Sequence, residues 1–209
     1  ILLFVRYEFR YEKHHVNARR IYRINVEQNL GDRVFQARSS PVPLSETLAR
    51  ELPEVLEFTR FYSPGRALVS RGEHSFYEAG FDFVDPGVLK MFTFPMKAGD
   101  PDTALNESLS AVITEEIAEK YFGNEDNPLG QTLTMDFGGP FDVTVTGVIR
   151  DHPPTTNVAP EILVSFRTIN ELMPNADSFL QNWISQQITA FILFPEGHSA
   201  LEMEQKIMG

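Results

Sequence analysis

No cysteine occurs among the 209 residues. That excludes disulfides, thiolate nucleophiles and cysteine-based zinc sites together. It leaves the compartment open, because an exported protein can also do without cysteine. Long hydrophobic runs are missing too. "ILLFV" is cut by Arg6, and "AFILF" (Ala190 to Phe194) has only strand length, whereas a membrane-spanning helix needs roughly 20 apolar residues. The start lacks signal-peptide anatomy. Because the chain begins at Ile1 rather than Met, "ILLFV" fits an ordinary first element, or a segment cut from a longer protein just past a membrane helix.

Positive charge is scarce. Lys and Arg number 18 against 29 Asp and Glu, for a net charge of −11 and a pI of about 4.9. Such a surface repels phosphate backbones, so nucleic acid is not an expected partner. It also repels anionic headgroups unless the charge is turned away from them. Catalytic motifs are lacking as well. Neither G-x-x-x-x-G-K-[ST] nor G-x-G-x-x-G occurs, so no phosphate loop is expected. A G-x-S-x-G elbow is absent, and nothing sets a base beside the hydroxyls of "VSRGEH" or "NESLS". His14, His15, His74, His152 and His198 stand in no ligand spacing, and surface or half-buried single histidines are expected. Among 29 acids any carboxylate pair is uninformative. Asn106-Glu107-Ser108 matches a glycosylation sequon, a common accident. The single tryptophan, Trp183, is read as packing. No catalytic, cofactor-binding or metal-binding residue is therefore assigned, and no cofactor is expected.

What is present is the composition of a globular chain, 42% hydrophobic and 22% charged. Its length suits one large domain or two small ones. "RRIYRINVEQ" alternates like a strand without one clean face. "LSETLARELPEV" predicts a helix with Ser45 as N-cap and Leu44, Leu48 and Leu52 on one face, stopped by Pro53. "VLEFTRFY" predicts a strand burying Leu56, Phe58 and Phe61. "RALVSRG" and "HSFYEAGFDFV" predict further strands. In "DPGVLKMF" Asp85 is the expected N-cap and Pro86 the first helical residue, and "TFPMKAGDPDTAL" then reads as a connector. "SAVIT" predicts a short buried strand. The helix after it is capped by Thr114, carries Glu115 and Glu116 in its first turn, buries Ile117, Ala118 and Tyr121, and closes at Gly123. "QTLTMDF" and "FDVTVTGVIRD", joined by Gly138 to Pro140, predict a hairpin. "DHPPTTNVAP", with three prolines in ten residues, is expected to be irregular. "EILVSFRTINEL" predicts a strand or short helix and "QQITAFILF" a strand. "SALEMEQKIM" predicts a last helix, with Ser199 and Glu202 spaced as a capping box.

The loop "GNEDNPLG" sets Asn124, Glu125, Asp126 and Asn127 in a row. A calcium loop needs ligands at alternating positions, a central Gly and a late Glu, so a solvated acidic turn between helix and hairpin is expected. The element order lacks the steady βαβα alternation of a parallel sheet. It predicts an α+β fold in two lobes, with the middle of the chain, about Phe76 to Arg150, inserted into the rest.

Several segments together resemble one family. "YEFRYEKHHVNARRIYRI" resembles the stretch after the first membrane helix in MacB-like and FtsX-like ABC transporter permeases. "FYEAGFDFVDPGVLKMFTFPMKAGDPDTAL" resembles that family's next signature. "SAVITEEIAEKYFGNEDNPLGQTLTM" is the most specific match, and "FDVTVTGVIRDHPPTTNV" resembles the strand and loop after it. Order and spacing agree from about Tyr7 to Gln205. Glu12 stands where the family has Asp, His14 where it has Phe, and "DHPPTTNVAP" is a looser match.

The resemblance implies a periplasmic core domain of a bacterial inner-membrane permease. Residues 1–18 would be the end of the first membrane helix and a lead-in. Residues 19–75 and 151–209 would form a porter-like subdomain, and 76–150 an inserted sabre-like one. Implied partners are a second permease copy, a cytoplasmic ABC ATPase, and outside the membrane an adaptor, an outer-membrane channel or a lipoprotein. ATP would be hydrolysed elsewhere, and this domain would have no catalytic residue. It would transmit conformational change for export, extraction or signalling, and the isolated domain would be monomeric. The rival readings are a free-standing periplasmic ligand-binding or sensor domain of similar build, and a hydrolase whose site is assembled from distant residues.

Overall fold

The computed structural model describes residues 2–6, 14–30, 33–123, 127–153 and 156–198. Its strands are β1 (Leu2–Arg6), β2 (Ile21–Leu30), β3 (Arg33–Ala37), β4 (Ser40–Pro41), β5 (Glu57–Tyr62), β6 (Ala67–Arg71), β7 (His74–Glu78), β8 (Phe81–Val84), β9 (Met96–Gly99), β10 (Ser110–Thr114), β11 (Thr132–Asp136), β12 (Pro140–Ile149), β13 (Ile162–Ser165) and β14 (Gln186–Leu193). The helices are α1 (Leu44–Glu51), α2 (Val88–Met91), α3 (Glu115–Phe122), α4 (Ile169–Leu172) and α5 (Ala176–Leu180), with a 3-10 turn at Phe166–Thr168. No helix among the described residues is long and apolar enough to cross a membrane. The expected last helix at 199–208 lies outside the described residues.

One mixed sheet runs β1-β2-β14-β5-β8-β13-β10-β12-β11-β6-β7, with β3 on β2, β4 on β14 and β9 on β12. β10 runs parallel to β12, and β13 to β8. Both faces of the sheet are covered in its central part. On one face Tyr22, Ile24, Val26, Ile188, Ala190, Ile192, Ala111 and Ile113 pack under α1 and α3. On the other Ile21, Phe191, Leu193, Val112 and Leu163 pack under α2, Phe92 and Phe94. Side chains of a strand alternate between faces, so covering both faces buries odd and even positions alike. This is why "RRIYRINVEQ" shows no single apolar face. In β12 the alternation slips: Val145 and Val148 share one core, because the register to β10 shifts between Ala111 and Val112. An extra residue in one strand re-aims all that come after it.

The α3 expectation holds closely. Thr114 is extended, its hydroxyl accepts from the Ile117 N–H, and Gly123 sits at φ 71 past the last turn. Asp151 accepts from the Glu116 N–H at 2.9 Å, satisfying another free amide of that end. Thr114→Ala should therefore cost about 1 kcal/mol. The expected result is a lower urea midpoint with an unchanged denaturant slope. The hairpin is also as expected, β11 pairing β12 from Thr132↔Thr144 to Asp136↔Pro140.

Other expectations differ. Ser45 is buried inside α1, and the N-cap position belongs to Pro43, without a side-chain cap. The helix starts two residues earlier, and Leu44 and Leu48 both face the core. Gly87, not Asp85, occupies the N-cap position of α2. Leu56 is 52% exposed, since β5 begins only at Glu57. Part of the expected connector is a strand, β9, paired with β12. Residues Leu2–Arg6 form a strand against β2, from Leu2↔Glu27 to Arg6↔Arg23. The expected lobe boundary at 75/76 falls inside β7, whose hairpin partner β6 pairs with β11. β13, expected with the outer segments, lies between β8 and β10.

Candidate functional site

The sheet narrows at one junction. β5 and β8 pair only at Phe61↔Val84 and Tyr62↔Phe83. On one side of this seam stand β2, β14 and β5; on the other are the strands that the chain supplies between 67 and 165. A polar contact brackets each end of it.

β8 ends at Val84, and Arg60 on β5 reaches Asp85, the next residue. The Arg60 N–H and Nε both donate to Asp85 Oδ2, at 2.8 and 2.9 Å, and Nη2 donates to Oδ1 at 2.7 Å. Arg60 is 7% exposed and Asp85 8%. The guanidinium lies over the Phe166 ring, 4.0 Å from its centroid, and Nη1 reaches Glu46 on α1 at 3.4 Å. A two-pronged guanidinium–carboxylate contact has directed geometry as well as charge. It thus joins four pieces: β5, α1, the β8–α2 turn and the 3-10 turn. Around it opens a cleft of about 460 Å³ lined by Glu57, Phe58, Lys90, Arg167, Asn170 and Leu180 besides the ion pair. Gly87 lets the pieces close up, because a Cβ there would collide with the Phe58 carbonyl oxygen.

At the other end Ser63 comes just after β5 and donates to Asp82 on β8. Burial pushes the Asp82 carboxyl above its ordinary value, and the Ser63 hydrogen bond opposes the shift. A carboxyl that holds its proton more tightly when folded stabilises the fold below the unfolded-state value of about 3.9. That contribution is lost as pH rises through the raised folded value. Asp82→Asn should therefore raise the urea midpoint at pH 7, and the gain should shrink toward pH 3. Equal gains at both pH values would refute the assignment.

Sequence reasoning missed this site. Asp85 was expected as a helix cap, and Arg60 passed as one residue of a strand. The available signal was position: Arg60 alternates with Phe58 and Tyr62, both packed on the α1 side of the sheet. A charge at an inward strand position needs a partner.

The other singled-out residues lie apart from the seam. His14 and His74 are exposed, His152 bonds the Pro160 carbonyl at 2.7 Å, and His198 stacks on Phe194. His15, expected at or near the surface, is 2% exposed. Among the described residues no three His, Asp or Glu are grouped to hold a metal. Asn124, Glu125 and Asp126 lie outside the described residues, and Asn127 accepts from the Leu129 N–H. Trp183, expected to pack, is 48% exposed beside Ile184 at 88%. A second cleft, beside α3, carries Glu115, Glu116, Glu119 and Asp151. There the Lys97 hydrogen bond holds the Glu115 carboxyl below its ordinary value.

The sequence matches the description of MacB-like periplasmic core domains over residues 1–207. Curated proteins yield no match. Solved structures share the fold. A permease-protein domain from Porphyromonas gingivalis is 21% identical at TM-score 0.73, over 90% of this chain and 81% of that one. The periplasmic region of MacB from Actinobacillus actinomycetemcomitans is 15% identical at TM-score 0.60, over 81% and 72%. The extracellular domain of the ABC-type transporter YknZ from Gram-positive bacteria is 15% identical at TM-score 0.53, over 81% and 85%.

Proposed function

Because the chain belongs to the family of MacB-like periplasmic core domains of ABC transporter permeases, we propose that it transmits motion, as a shift between the two halves of its sheet across the β5–β8 seam. Permeases of this family work with an ATPase, and their periplasmic domains are not catalytic in themselves. The observation that carries the reading is the two-residue pairing at the seam, reinforced by a buried ion pair. Backbone pairing this short bends at little cost. The Arg60–Asp85 contact, by contrast, has fixed geometry and holds the halves in a defined relation. Hinges of this kind sit where few elements cross between rigid bodies.

In this reading the porter-like part comprises the strands β2, β14 and β5 with α1. The sabre-like part comprises the chain between 67 and 165, wider than 76–150 on both sides. A cytoplasmic ATPase drives the motion from the other side of an inner membrane, a second permease copy completes the assembly, and an adaptor, an outer-membrane channel or a lipoprotein receives the work outside.

No native cysteine competes for labelling within these 209 residues, and any elsewhere in the assembly are replaced first. Spin labels at Glu51→Cys and Asp102→Cys, both exposed and on opposite sides of the seam, are placed in the full-length permease with its ATPase. Their distance distribution should change between nucleotide-free and ATP-trapped states. A pair within one half, Asp102→Cys with Asp136→Cys, should not change. If the cross-seam pair is equally unmoved, the reading fails.

A further inference from the structure

We propose that residues 14–20 form a strap whose docking against α2 is released by protonation of His15. The inference rests on the preceding reading only for its consequence, which is that the strap joins the lead-in to the body that moves.

The strap is stitched in both directions. His15 Nδ1 accepts from the Thr93 N–H at 3.0 Å, and the Val16 N–H donates to Thr93 Oγ1 at 2.8 Å. Asn17 Nδ2 donates to the carbonyls of Lys90 and Met91, at 3.1 and 3.2 Å. Those carbonyls close α2, where the helix itself supplies no donors. At the far end Arg20 Nε donates to the Phe194 carbonyl at 2.8 Å, and the Phe194 N–H donates back to the Arg20 carbonyl at 3.0 Å.

The His15 bond determines its charge. A nitrogen that accepts a backbone N–H carries no proton, and an imidazolium carries one on both nitrogens. Docked His15 is therefore neutral. Its ring stands edge-on to Phe92 and Phe94, with centroids 5.1 and 5.9 Å away, in surroundings that disfavour a charge. A proton on Nδ1 would oppose a donor to the Thr93 N–H. Titratable and charged groups among the described residues also stand nearby. On the strap, the His14 ring lies 3.9 Å from that of His15, and beyond Phe94 stands His152. Lys90 on α2 reaches Asp102 at 4.0 Å, and Arg20 holds Asn17 Oδ1 at 3.2 Å.

An imidazole in water takes its proton near pH 6.5. Docking is then complete above that value and weakens below it, by up to about tenfold per pH unit. The test is hydrogen exchange of the Thr93 and Val16 amides in the 209-residue chain, corrected for intrinsic rates. Between pH 7.5 and 5.5 protection at both should fall about tenfold, while Val112 and Val164 in the central strands keep theirs. His15→Asn, whose side-chain oxygen can take the same N–H without titrating, should remove the pH dependence. Constant protection in the unaltered chain, or an equal fall in His15→Asn, overturns the proposal. Nitrogen NMR of His15 at pH 7.5 gives an answer even if the variant does not fold: an unprotonated Nδ1 supports the switch and a protonated one overturns it. These measurements read docking in the isolated chain, so they can fail while the spin-label result stands, and the reverse.

Discussion

Asp85→Ala should destabilise the domain by about 3–5 kcal/mol, the cost of breaking a buried ion pair from one side. The loss is large because of what remains. Arg60 is 7% exposed and gives three of its hydrogen bonds to this one carboxylate. Without Asp85 its guanidinium keeps, among the described residues, Glu46 as its one acidic partner, at 3.4 Å and on a largely exposed side chain. A charge compensated only by that exposed carboxylate then sits against the Phe166 ring. Arg60→Met with Asp85→Leu should recover much of the stability, since a buried pair replaced by apolar residues is often close to neutral. Recovery of stability should not restore the geometry: the double variant should broaden the cross-seam distance distribution defined by Glu51 and Asp102. Urea unfolding of the single and double variants checks the first part, and a single-variant loss below about 1 kcal/mol, the value of a surface pair, would show that the contact is worth no more than that.

Phe92→Ala should cost a similar amount, about 3–5 kcal/mol, through a cavity. Phe92 is 2% exposed and sits where four rings meet: Phe191 at 5.2 Å, Phe94 at 5.7 Å, Phe61 at 5.9 Å and His15 at 5.1 Å. It touches β14, the seam strand β5 and the strap at once, so no single neighbour can move in to fill the space. Phe92→Leu keeps most of the volume and should cost under about 1.5 kcal/mol. The alanine variant should also lower protection of the Thr93 amide at every pH, because the wall behind His15 is gone. Unchanged Thr93 protection in a folded Phe92→Ala chain would mean that the strap does not lean on this ring.

The two variants separate what was legible in the sequence from what was not. Phe92 ends the segment that the sequence reads as a short helix. Asp85-Pro86 invites a capping assignment, because the local pattern at a helix start is satisfied by the carboxylate alone. The tertiary structure gives that carboxylate a better partner, a guanidinium 25 residues earlier, and leaves the cap position to Gly87. Ser45 was misplaced for a related reason: packing of Leu44 drew the helix start forward and buried the hydroxyl. His15 looked like one of an adjacent pair with no motif, and only the return of residues 92–94 against it makes a site.

The sequence by itself determined the elements whose hydrogen bonds close within a few residues. These are the Thr114 cap, the Gly123 end of α3 and the β11–β12 hairpin, along with family membership, which rests on such motifs in order. Only the tertiary structure decided the order of the strands, the narrow seam, the Arg60–Asp85 bridge and the contact of the Thr93 N–H with His15 Nδ1. Each of these depends on groups that are distant in the chain and meet only when two covered faces of one sheet are assembled. Local spacing carries no record of which distant partner a buried charge or an imidazole nitrogen will find.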